Sequence, residues 1–154
     1  MSLAPSLNQV AADIQLAVAP VFLLAGIGAF LNVSAGRLAR ITDRARKLEP
    51  QILASRGVEH DKLLGELRLL DRRMRIVNQA ISLSVLGAVL ISIVVVLLFA
   101  AGLAGLDAGT PIALLFMAAM IATGASFSVF LWETRLAIRT VRVAAEVLEH
   151  QAEE

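Results

Sequence analysis

The chain has 154 residues, 58% of them drawn from Ala, Val, Ile, Leu, Met, Phe, Trp, Tyr and Cys, and a mean hydropathy of +0.77. Even before the 10 glycines are added, this exceeds the roughly 45–50% apolar share of soluble domains, which excludes a disordered chain and argues against an ordinary soluble fold. Net charge is only +1, yet all 14 Lys and Arg lie either between Arg37 and Arg75 or at Arg135, Arg139 and Arg142; the absence of cysteine excludes disulfides, thiolate nucleophiles and Cys-based metal sites.

Three stretches hold no charged residue: Ile14–Gly36, Ile76–Leu106 and Ala108–Trp132. Each exceeds the roughly 20 residues that cross about 30 Å of hydrocarbon. The sequence therefore predicts an all-α membrane protein, a single membrane domain over 1–154, with three transmembrane helices at 14–36, 76–104 and 112–132. Basic residues near span ends stay cytoplasmic. The expected topology is N-terminus outside (periplasmic), 37–75 inside as a helical hairpin, a short outer turn, and a cytoplasmic C-terminal helix over 133–150, in a bacterial inner membrane. Met1–Gln15 lacks the basic residues of a signal peptide, so the first span reads as an uncleaved anchor.

In chain order, the first span contains Pro20, whose ring removes one backbone hydrogen bond and is expected to kink the helix unless the helix starts there. No breaker follows before Glu49, so one helix from near Asp13 to Leu48 is expected, about 54 Å long. On its projection, Leu38, Ile41, Ala45 and Leu48 form an apolar seam, and Arg37, Arg40, Arg44 and Lys47 a basic stripe beside it. Pro50 is expected to end the helix, with Gln51–Gly57 as the turn. A second helix starts near Glu59 or Asp61, carries Leu63, Leu67, Leu70 and Met74 at heptad-like spacing, and runs through the second span to near Ala104. The two projections are expected to pair as a coiled-coil-like antiparallel hairpin, with Glu59, Asp61 and Glu66 near the Arg44–Lys47 end. Gly105–Pro111 is a tight turn in which Thr110 suits an N-cap and Pro111 a first helical position. The third span ends at Trp132, where an interfacial aromatic belt is expected. The chain continues as a helix with Leu136, Val143 and Val147 on one face, which should dock on the hairpin.

Catalytic signatures are nearly absent. His60 and His150 lie in polar helix ends without metal-ligand spacing, and Gly26-Ile27-Gly28 sits inside a span without extending to a nucleotide loop. The spans hold none of the Asp, Glu, Lys, Arg or His residues that move protons in carriers. The sequence thus predicts no enzyme, no cofactor, no metal and no monomeric transporter. Acidic residues interleave with the basic ones and no aromatic lies in 37–75 or beyond 132, so no nucleic-acid partner is expected.

What the spans do carry is polar and neutral. Asn32 and Ser34, then Asn78, Gln79 and Ser82, then Ser126 and Ser128 fall at similar depth in the inner leaflet. They read either as interhelical hydrogen bonding or, through Asn32, Asn78, Gln79, Ser82 and Ser126, as a polar layer lining a pore or headgroup site. Ser84, Ala88 and Ser92, and Ala118, Ala122 and Ser126, form small-residue stripes that permit close packing within the chain or between copies. Asp13 and Asp107, the only charges on the outer side, would form an acidic mouth if copies closed into a ring. The Arg37, Arg40, Arg44 and Lys47 stripe fixes topology and is a candidate contact for anionic lipid headgroups.

The runs APVFLLAGIGAFLN (Ala19–Asn32), RLARITDRARKLE (Arg37–Glu49) and LLDRRMRIVN (Leu69–Asn78) resemble the bacterial domain of unknown function 2721 family of small integral membrane proteins. The resemblance covers nearly the whole chain. It implies membrane location and this layout, but no activity and no catalytic residues. The functional expectation is a non-enzymatic protein that self-associates through its small-residue faces and cytoplasmic seams, extending to a homo-oligomeric cation-permeable pore if the assembly closes into a ring. The alternative is an accessory or assembly subunit of a larger membrane complex.

Overall fold

The computed structural model describes the backbone of residues 7–152 and the side chains of residues 11 and 14–135. The chain forms three helices, α1 (Leu7–Ala54), α2 (Val58–Ala104) and α3 (Gly109–Ala152). All three are long and apolar enough to cross a membrane. Only 17%, 22% and 17% of their most apolar windows are buried. A water-soluble bundle would turn such faces inward; here Phe22 and Ile121 are 75% and 72% exposed, as suits a protein whose solvent is lipid.

The helices divide into two compact units, one of 1–36 with 81–126 and one of 37–80 with 127–154. In the first unit, Ile27, Ile91 and Ala119, one from each helix, form a buried cluster flanked by Leu23, Leu24, Leu31, Ala88 and Leu90. Small residues then let α2 and α3 approach closely. The hydroxyls of Ser84 and Ser126 meet at 2.7 Å, both fully buried. Gly87 is buried against Thr123 and the carbonyl of Ala119, where a Cβ would collide with the Thr123 hydroxyl. That hydroxyl donates to the Ala119 carbonyl at 2.9 Å, so it has little freedom to move aside. Ser34 on α1 is also fully buried, and its Oγ finds no partner among the described residues.

In the second unit the apolar seams are interior. Ile41, Ala45 and Leu48 are buried on α1, and Leu70 on α2, with Leu38, Leu63, Leu67 and Met74 half-buried. Thr42 Oγ1 lies 3.6 Å from Met74 Sδ, and Arg44 meets Glu66 at 2.7 Å. These cross-links hold α1 and α2 antiparallel, and of the acids expected near the Arg44–Lys47 end it is Glu66 that pairs, with Arg44.

Helix ends depart from expectation in three places. α1 begins at Leu7 rather than near Asp13, with Pro20 buried inside it as the continuous helix requires. Pro50 does not end α1, which continues to Ala54. Proline removes a single donor. The acceptor freed by it belongs to exposed Arg46, open to water, while the extra turn buries Ile52 and lets Gln51 O accept from Ser55 N at 2.9 Å. Thr110 is not the N-cap of α3: helical bonding already starts where Ile112 N donates to Ala108 O at 3.2 Å, which places Pro111 in the first turn, where no donor is needed.

Both turns rest on left-handed glycines. Gly57 (φ 66°) precedes α2 and its carbonyl accepts from Asp61 N at 3.2 Å, with Glu59 and Asp61 in the first turn as expected. Gly105 (φ 63°) closes α2, and Leu106 N donates back to Ala101 O at 3.0 Å, the six-to-one bond of a Schellman ending. α3 stays helical to Ala152, although the side chains of Leu136, Val143 and Val147 lie outside the described residues.

Candidate functional site

The chemistry of the second unit gathers on Glu133. It is the first charged residue after the third uncharged run, and its side chain is fully buried. A buried carboxylate needs partners, since stripping its water costs several kcal/mol. α1 and α2 each supply one. Arg37 Nε lies 3.1 Å from Oε2 and Arg73 Nε 2.9 Å from Oε1. The Arg73 contact is an aligned hydrogen bond, whereas Oε2 is held by charge proximity alone. Arg37 is further fixed by donating to Thr134 Oγ1 and by lying over the Phe130 ring, 5.2 Å from its centroid. Thr134 in turn donates to the Phe130 carbonyl at 2.9 Å. One residue of α3 thus ties α1 and α2 at the end of the apolar stretch.

This arrangement is built for holding. Both carboxylate oxygens face guanidinium groups, and no set of three or more His, Cys, Asp or Glu that could bind a metal exists among the described residues. Sequence reading does not single out Glu133. The available signal is that it is a lone acid at the end of an uncharged run, matched by basic residues at the ends of the other two.

The residues singled out from sequence are dispersed. Ser126 is buried against Ser84, while Asn32, Asn78, Gln79 and Ser82 all lie on exposed faces of their helices. Among the small-residue stripes, Ser84 and Ser126 are therefore spent within the chain, while Ser92 and Ala118 remain exposed. Asp107 is exposed in the turn between α2 and α3; the side chain of Asp13 lies outside the described residues. The basic stripe divides. Arg37 belongs to the Glu133 cluster, Arg44 pairs with Glu66, and Arg40 and Lys47 are exposed.

A family model described as "Protein of unknown function (DUF2721)" matches residues 17–143. No curated protein and no solved structure matches the chain. The family match takes in nearly all of the three uncharged stretches together with Arg37, Arg73 and Glu133, and the chain belongs to the DUF2721 family of proteins of unknown function.

Proposed function

We propose that this protein is a non-enzymatic assembly unit of a bacterial inner membrane that self-associates through lipid-facing polar side chains. Its orientation in this reading is N-terminus outside, with the α1–α2 turn and the C-terminus in the cytoplasm. The orientation rests on the crowding of basic residues into 37–75 and after 132.

The observation that carries the reading is Asn32. It is exposed on α1 and makes no hydrogen bond to another described residue. It lies five residues before Arg37, about 7.5 Å into the uncharged stretch. An amide left unpaired in hydrocarbon is unfavourable by several kcal/mol. The same amide on a second copy is the simplest partner, at about 0.6–2 kcal/mol per interhelical bond. A ring of such copies would line its axis with amides and place Asp107 carboxylates at one mouth, which is the basis for a cation-permeable pore.

Native mass spectrometry of the protein extracted gently from its own membrane tests this. A homo-oligomer is expected, with Asn32→Leu raising the dissociation constant about three- to thirtyfold and Asn32→Gln close to wild type. A monomer, or recovery with a stoichiometric foreign subunit, overturns self-association; the latter makes the chain an accessory subunit. The pore is tested separately in liposomes, where cation flux no greater than that of empty vesicles removes it.

A further inference from the structure

The second unit contains a cavity of about 240 Å³ between α2 and α3. It is lined by Arg72, Ile76 and Gln79 from one face of α2 and by Val129, Trp132 and Glu133 from α3. We propose that this cavity binds the phosphate group of an anionic membrane phospholipid.

Four features support that assignment. The first is charge. Arg72 is exposed and has no carboxylate partner among the described residues, whereas neighbouring Arg75 is paired with Asp71 at 3.0 Å. Glu133 also lines the cavity, but its carboxylate is already paired with Arg37 and Arg73, which leaves Arg72 as the guanidinium of the lining with no carboxylate of its own among the described residues. An incoming phosphate meets the Arg72 guanidinium, which can bind it with two parallel hydrogen bonds.

The second is hydrogen bonding. Gln79 is exposed two turns further along the same helix and supplies amide donors to phosphate or glycerol oxygens. The third is depth. Arg72 is on the charged side of the boundary at Arg75, Gln79 on the uncharged side, and Trp132, 73% exposed, ends the third uncharged run. An indole with an apolar body and one donor favours the headgroup level of a bilayer. The fourth is size. The cavity would hold on the order of eight waters at about 30 Å³ each, which suits a phosphoglycerol headgroup but not a whole lipid. Ile76 and Val129 would then meet the start of the acyl chains, whose remainder stays in the bilayer. A soluble phosphate would gain nothing from these apolar walls, and this is why a lipid is the chosen source. The site lies within one chain and is independent of self-association.

Trp132 is the only tryptophan of the chain, so its emission reports the site directly. The full-length protein in an uncharged detergent is titrated with dioctanoyl phosphatidylglycerol. A saturable change in emission is expected. Arg72→Gln should raise the half-saturation concentration about five- to tenfold and Gln79→Leu about threefold, while Arg72→Lys should lose less than Arg72→Gln. Arg68→Gln, exposed one turn further from the uncharged run, is the charge control and should stay within about twofold. Dioctanoyl phosphatidylcholine should bind more weakly, and glycerol phosphate and inorganic phosphate should give no response. Equal titrations for wild type, Arg72→Gln and Gln79→Leu overturn the site. Saturation by glycerol phosphate at the same concentration as the lipid overturns the lipid and leaves a soluble phosphate ester as the ligand.

Discussion

Glu133 and Glu66 are both glutamates paired with arginine, yet their energetics differ. The Arg44–Glu66 pair has side chains 55% and 38% exposed, so it contributes about 0–1 kcal/mol. Around Glu133 the carboxylate is fully buried and the arginines are 20% and 23% exposed. Breaking such a cluster typically costs about 3–5 kcal/mol because it strands the remaining charge, and the partial exposure of both guanidiniums favours the lower end. Glu133→Ala should therefore lower the thermal midpoint in detergent, followed by circular dichroism, far more than Glu66→Ala. Replacing all three groups, as Arg37→Met, Arg73→Leu and Glu133→Leu together, should recover most of that loss, since no charge is then left unpaired. A triple variant no more stable than Glu133→Ala would show that stranded charge is not the cause.

At the scale of helices, contact distance separates glycines that look equivalent in the sequence. A Cβ on Gly87 would strike Thr123 and crowd the Ala119 carbonyl at 3.3 Å, whereas one on Gly28 meets nothing within 4 Å. Gly87→Ala should destabilise by about 1–3 kcal/mol. Gly28→Ala should be neutral or slightly stabilising, because alanine favours a helix by up to about 1 kcal/mol over glycine. Pairing Gly87→Ala with Thr123→Ala should recover part of the loss; denaturant titration in micelles measures all three. The seams over 38–48 and 63–74 were legible because burial imposes a 3.6-residue period on the apolar side chains. Gly87 was not, since a glycine inside a span carries no period and its reason lies on another helix. Pro50 was misleading for a related cause: a local breaking rule yields where one more turn buries Ile52 beside Leu48.

For the molecule as a whole, three spans were legible from the uncharged runs alone, because hydrocarbon thickness sets their minimum length. The Glu133 cluster was not, since it joins residues 60 or more positions apart and no local pattern encodes such pairing. The facing of the polar residues was not legible for the same reason. Depth along each helix can be counted from sequence, but the direction each side chain faces depends on packing, and Asn32, Asn78, Gln79 and Ser82 turn outward. The proposed orientation is open to a direct check, because the chain has no cysteine. An impermeant maleimide applied to intact spheroplasts should label Asp107→Cys and spare Arg56→Cys until the membrane is opened. The opposite pattern inverts the orientation, and labelling of both in intact cells removes the three-span arrangement.

Order of synthesis gives the Glu133 cluster a further meaning. Arg37 and Thr134 are 97 residues apart. At typical elongation rates, Arg37 waits on the order of 5–20 s for its partners on α3 to be made. Arg73, made later, is 60 residues ahead of Glu133 and waits about 3–12 s, and until then neither guanidinium has a carboxylate from α3 to meet. The cluster therefore cannot close until α3 has been made, and a product truncated before α3 would leave Arg37 and Arg73 without that shared carboxylate.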